Sequence, residues 1–215
     1  MNFLRTAPVL AILCLALGAC ETPQLGRTTR MLPTRNYSEA TQFLGANGQV
    51  VTIASSRPKA RAAEAAAYWH GDGVSGRPSI TIDLGAQKAF FYKGGQLVGE
   101  SPICSGNAQH PTPRGNFSVI QRDKDHRSNL YGNYADAAGY AVVANIDVTK
   151  DPRPPGTTFL GARMPYYLRF HDGAGMHAGY LPGFPDSHGC VRLPDRMAEI
   201  FYDNAPLGTP VRVVN

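Results

Sequence analysis

Residues 79–106 read "SITIDLGAQKAFFYKGGQLVGESPICSG", and this stretch decides the fold. It holds three apolar-rich runs of strand length, separated by Gly85-Ala86 and Gly94-Gly95, the pairs that supply tight turns between antiparallel strands. The expected structure is a β-meander. Further strands are expected at "GNFSVIQRD", "GYAVVANIDV", "YYLRFHD" and "AGMHA", and "TPVRVVN" supplies a last one. One helix is expected in "RMAEIFYDNA", whose apolar residues recur at helical spacing, with Pro194-Asp195 as a cap and Pro206-Leu207-Gly208 as a stop. Two stretches, about 124–139 and 149–161, are rich in Tyr, Asn, Asp, Pro and Gly and read as long loops, a length that usually serves function. The fold class is mainly β, a β-sandwich or mixed sheets with a short helix after the cysteine-bearing segment.

Upstream of the meander the chain reads differently. Residues 21–58 lack sustained periodicity and read as a tether, with a short helix possible over 37–44. "KARAAEAAAYWH", residues 59–70, is built from strong helix formers and reads as a spacer helix. The first twenty residues, "MNFLRTAPVLAILCLALGAC", carry one basic residue and then an apolar run too short to anchor in a bilayer. That is the pattern of a secretory signal peptide. Its end, Leu17-Gly18-Ala19-Cys20, resembles the lipobox of bacterial lipoproteins, which implies cleavage before Cys20 and a lipid on its thiol. The alternative is an ordinary cleaved signal with Cys20 incidental. The expected division is a signal peptide at 1–19, a lipid-anchored tether at 20–76 and a folded domain at 77–215.

Of four cysteines, Cys14 leaves with the signal and Cys20 carries lipid, so Cys104 and Cys190 reach the domain. The formal charge of +5 suits an anionic envelope surface as well as it suits plain solubility. No dense Lys/Arg cluster or aromatic-interleaved basic stripe points to nucleic acid.

The chemistry gathers in "GMHAGYLPGFPDSHGCVRLP", residues 175–194. A thiol becomes a good nucleophile only as a thiolate, so it needs a base or positive charge beside it. His177 lies on a predicted strand one Gly/Pro loop before Cys190, and pairing of adjacent strands brings the two together. Such a pair can take the thiol proton, attack a carbonyl and return the proton to a leaving amine. Gly189 permits a tight turn in which the backbone N–H groups of Gly189 and Cys190 form an oxyanion hole. Arg192, two residues on, shares a strand face with Cys190 and can hold a carboxylate. Other readings stay open. Cys190 can be a structural thiol, Arg192 a surface arginine, and His177, His188 and Cys190 zinc ligands with His171, although the spacing matches no zinc pattern. Cys104 reads as a small buried hydrophobe, with reversible pairing to Cys190 the lesser alternative.

"MHAG" followed by "SHGCVRL" resembles the signature of the L,D-transpeptidase catalytic domain family, β-rich cysteine enzymes of bacterial peptidoglycan. "SGNAQHPTPRGNFSV" resembles that family's second element, through Gly106, Thr112, Pro113, Gly115 and Phe117. The resemblance covers about 79–214. It implies that Cys190 is the acylated nucleophile, His177 the base and acid, and the backbone carbonyl of Ala178 the group that orients the imidazole. Ala178 stands where the family usually has Gly, and supplies the same carbonyl. By the same resemblance Ser187, His188 and Gly189 shape the nucleophile turn and Arg192 positions substrate. It implies acylation by carbapenems and no metal or organic cofactor. The substrates would be peptidoglycan stem peptides, with a stem amine, a protein lysine or water as acceptor, at the periplasmic face of the envelope. Glu21 after Cys20 fits the outer membrane if the cell is Gram-negative. Rival readings are an L,D-carboxypeptidase or hydrolase on the same scaffold, and a non-catalytic wall-binding lipoprotein.

Overall fold

The computed structural model describes residues 42–44, 50–52 and 62–215. The signal peptide, Cys20 and most of the tether lie outside the described residues. Where the sequence allowed a helix near 37–44, β1 (Gln42–Leu44) instead pairs antiparallel with β2 (Val50–Thr52).

A six-stranded mixed sheet is built on the expected meander of β4 (Pro78–Asp83), β5 (Lys88–Lys93) and β6 (Gln96–Pro102). Gly94 and Gly95 both take positive φ, 56° and 84°, which only a glycine pair does cheaply in a two-residue hairpin. β15 (Pro210–Val214) lies parallel to β4, and β7 (Gly115–Ser118) closes that edge. The other edge is β3 (Tyr68–Trp69), paired with Glu100 and Gly99 of β6. Here the described part of the expected spacer helix, 62–65, is helical and ends before Tyr68, where the chain turns into the strand. The Trp69 indole packs edge-on to Phe91 at 5.3 Å and covers Gly99.

The second sheet has four strands in the order β14 (Val191–Leu193), β13 (Ala174–Ala178), β12 (Tyr167–His171) and β8 (Gln121–Asp123), with β13 and β14 parallel. Its alternation is strict. Leu168, Phe170, Ala174, Met176, Ala178, Val191 and Leu193 enter the core, so Tyr167, Arg169, His177 and Arg192 face the other way. The expected helix is α1 (Asp195–Asn204), which buries Met197, Ala198 and Phe201 in the same core as Ile80, Phe91 and Val211. Its N-cap is Pro194, without a side-chain capping bond, so the expected Pro-Asp cap is a backbone turn only.

The first expected long loop is largely strand, and the second is irregular over 149–157 and enters a strand at Thr158. β9 (Arg127–Ala135) is flanked by β10 (Ala141–Asp147) and β11 (Thr158–Arg163) in a separate three-stranded antiparallel sheet. Only Tyr134, Ala135 and Ile146 of these strands are buried hydrophobics. Strands with so little buried on either face carry little apolar alternation, which is why β9 and the start of β11 read as loop, while the apolar run of β10 is the strand expected at "GYAVVANIDV".

Candidate active site

His177 and Arg192 are register partners across β13 and β14, and Cys190 stands just before β14. All three line one cavity of about 320 Å³, whose far wall comes from Ser128 to Tyr131 of β9. Ser187 and His188 line it as well. His171 does not, and packs instead against Phe117, which takes the fourth ligand away from the zinc alternative.

The turn carrying Cys190 is tied from inside and outside. The Ser187 hydroxyl donates to the Cys190 carbonyl and accepts the Gly189 N–H at 3.2 Å. Gly189 holds φ at +110°, a conformation that favours glycine. Its N–H is directed to the Ser187 hydroxyl in this structure. From outside, the buried Thr112 hydroxyl accepts the Gly106 N–H at 2.8 Å and donates to the Gly189 carbonyl at 2.9 Å. The two sequence elements thus meet, the first holding the second in shape. Cys104 is fully buried, its backbone paired with Arg192, and its thiol points to the Phe184 carbonyl at 3.5 Å.

His177 is 6% exposed, and its Nδ1–H donates to the Ala178 carbonyl at 2.8 Å. Burial lowers its pKa to about 4, with the Ala178 bond pulling upward and the charges of Arg192 and His126 pushing down. At neutral pH the ring is uncharged, and with Nδ1 committed to a carbonyl its Nε2 is the basic nitrogen. Burial also raises the Cys190 thiol above its ordinary value, against hydrogen bonds from the Gly175 backbone and Tyr167 and the charges of Arg192 and Arg169. At rest the cavity is lined by a neutral thiol and a neutral imidazole.

Several neighbours escaped the sequence reading. Tyr167, held protonated by burial with a pKa pushed up to about 12, lines the same cavity as Cys190. His126 stacks on its ring at 4.2 Å and is itself bound to Asp123 at 2.9 Å. Tyr131 of β9 stacks on His188 at 4.3 Å, with His110 on another side of that ring at 4.9 Å. His188 is lowered by burial and by the charge of His110. Arg192 reaches Asp186 at 3.6 Å in a loose, half-exposed pair, while its stem packs on Gly179. The signal available for Tyr167 and Arg169 was the alternation in "YYLRFHD", which puts them on one face opposite Leu168 and Phe170.

This chain is 26% identical over 145 residues to the probable L,D-transpeptidase ErfK/SrfK of Salmonella typhimurium, covering 65% of this chain and 45% of that protein. The corresponding Escherichia coli protein is 25% identical over 145 residues, with 65% and 44% covered. The chain spans under half the length of these curated relatives. Among solved structures, an L,D-transpeptidase from Mycobacterium smegmatis is similar with a TM-score of 0.49 at 20% identity, covering 65% of this chain and 59% of that one. One from Xylanimonas cellulosilytica gives 0.48 at 25% identity, covering 65% and 61%. Residues 77–213 match the family described as YkuD, the L,D-transpeptidase catalytic domain, an interval that holds both sequence elements and every cavity residue named above. The chain belongs to the L,D-transpeptidase catalytic domain family.

Proposed function

We propose that the protein is a cysteine L,D-transpeptidase of peptidoglycan stem peptides. The observation that carries this reading is the buried His177 imidazole, whose Nδ1–H is committed to Ala178 while the ring shares a cavity with Cys190. His177 Nε2 takes the thiol proton as the sulfur attacks the carbonyl of the third stem residue. The Ala178 carbonyl holds the imidazolium, and the Cys190 N–H serves the oxyanion. Collapse breaks the C–N bond, the proton passes from His177 to the leaving D-alanine amine, and a thioester remains on Cys190. An acceptor amine then gives its proton to His177, forms the new amide and releases the thiol, which recovers that proton. Ser187, Gly189 and Thr112 keep the turn in shape, His188 walls the cavity, and Arg192 positions a substrate carboxylate. No step calls for a metal or organic cofactor.

The same reading places the enzyme in the periplasm, held to a membrane, the outer one in a Gram-negative cell, by a lipid on Cys20. Residues 1–19 are the leader, 20–76 the anchored segment and 77–215 the catalytic domain, to whose sheet Tyr68–Trp69 add an edge. Detergent-phase partitioning tests the anchor: the full chain goes to the detergent phase and Cys20→Ala to the aqueous one, and equal partitioning removes the lipid.

The deciding experiment incubates the parent and Cys190→Ala with disaccharide-tetrapeptide and follows products and protein by mass spectrometry. A cross-linked dimer, or an acyl adduct on Cys190 that the variant lacks, supports the transpeptidase. D-alanine release without dimer points to water or a protein lysine as acceptor. A parent without turnover that binds the wall as well as Cys190→Ala overturns the enzyme reading in favour of a wall-binding lipoprotein.

A further inference from the structure

Arg169 sits in the middle of β12, paired with Gly175 on one side and Gln121 on the other. It shares a face with Tyr167, and its guanidinium carbon lies 5.5 Å from the centroid of that ring. Tyr167, Arg169 and Cys190 line the same cavity. The stacked guanidinium is therefore held in the wall of the cavity that contains the Cys190 thiol.

Two observations show that this cation awaits a partner. Its Nε is buried and has no hydrogen-bond partner among the described residues, and a donor taken from water without replacement is costly. The cavity it lines also contains Arg163 and Arg192 but no aspartate or glutamate. Such a wall selects against cations and draws anions. Arg192 is partly engaged by Asp186, so Arg169 is the cavity cation anchored by an aromatic ring with a donor left over.

We propose that Arg169 is a specificity-determining residue that receives a carboxylate of the donor molecule beside Cys190. A planar guanidinium with an open edge takes a carboxylate oxygen in a charge-assisted hydrogen bond, and the anion satisfies the orphaned Nε. In a stem tetrapeptide two groups offer this chemistry, the terminal D-alanine carboxylate and the side-chain carboxylate of diaminopimelate. The peptide's identity rests on the transpeptidase reading, whereas the carboxylate site does not.

The test has two arms, run on the full chain as parent, Arg169→Gln and Arg169→Lys. First, alkylation of Cys190 is timed with iodoacetate and with neutral iodoacetamide, and the ratio of the two rates is taken. The ratio is expected to fall roughly tenfold or more in Arg169→Gln and to recover in part in Arg169→Lys, which keeps the charge. Second, kcat/KM is measured for tetrapeptide, its C-terminal carboxamide, and the form amidated on diaminopimelate. Arg169→Gln is expected to lose roughly 10- to 100-fold on tetrapeptide and little on one of the two amides. The amide on which the loss disappears names the carboxylate. An unchanged alkylation ratio together with an equal loss on all three peptides overturns the proposal and leaves Arg169 a support for Tyr167. A ratio that falls in a protein that turns over none of the peptides keeps the carboxylate site and removes the transpeptidase reading.

Discussion

Burial of the His177 imidazole has a stability cost that pH exposes. The folded pKa is about 4 and the unfolded one about 6.5, so between these values the unfolded chain binds a proton that the folded one refuses. Stability from this group is complete above pH 6.5 and is lost as pH falls toward 4, by up to about 3 kcal/mol. Urea midpoints at pH 7.5 and 4.5 check this, and the drop should be clearly smaller in His177→Gln; an equal drop in both proteins removes the assignment. Thr112 gives a second expectation. Thr112→Val strands the Gly106 N–H and the Gly189 carbonyl together and should cost roughly 1–3 kcal/mol in thermal unfolding, most of it restored in Thr112→Ser. Gly189→Ala faces open space, the nearest atom being 3.9 Å from the added Cβ. Its cost comes from φ alone, about 1–3 kcal/mol, and near-parental stability would show that the turn relaxes. Residues of this kind were legible unevenly. Cys190 and His177 stood out by type and spacing and the Ala178 carbonyl through the family resemblance, whereas the duties of Thr112 and Tyr167 depend on partners that no local pattern names.

Among the elements, the sheet of β9, β10 and β11 has the least apolar burial, so its opening should be easier than that of the six-stranded sheet. The ring of Tyr131 against His188 ties β9 to the nucleophile turn. An aromatic pair contributes about 0.5–1.5 kcal/mol. Tyr131→Ala should therefore speed amide exchange in β9 to β11 by several-fold while leaving β4 and β5 unchanged, and an even rise across the molecule would deny the stack this local role. The meander, β12, β13 and α1 were visible because each buries one face and so repeats its apolar residues at its own period. Within the three-stranded sheet β10 was visible as the apolar run of "GYAVVANIDV". β9 and the start of β11 were read as loops, because strands that bury so little repeat no apolar period.

Across the whole molecule, one core joins the six-stranded sheet, the four-stranded sheet and α1. Phe201 of α1 is fully buried and meets Phe91 of β5 at 5.1 Å, edge to face. Phe201→Ala should cost about 3–5 kcal/mol in denaturant unfolding, and a much smaller loss would mean that the helix is not needed to close the core. What the sequence determined by itself is the set of strands with a buried face, the helix after the cysteine, and the candidate pair of Cys190 and His177, because periodicity and motif spacing are local properties. What the tertiary structure alone decided is the environment that gives these groups their state: the neutral His177, the Tyr167 ring in the cavity of Cys190, the unsatisfied Nε of Arg169, and the Thr112 bond to Gly189 across 77 residues. These depend on burial and on contacts between segments far apart in the chain, which only a closed fold creates.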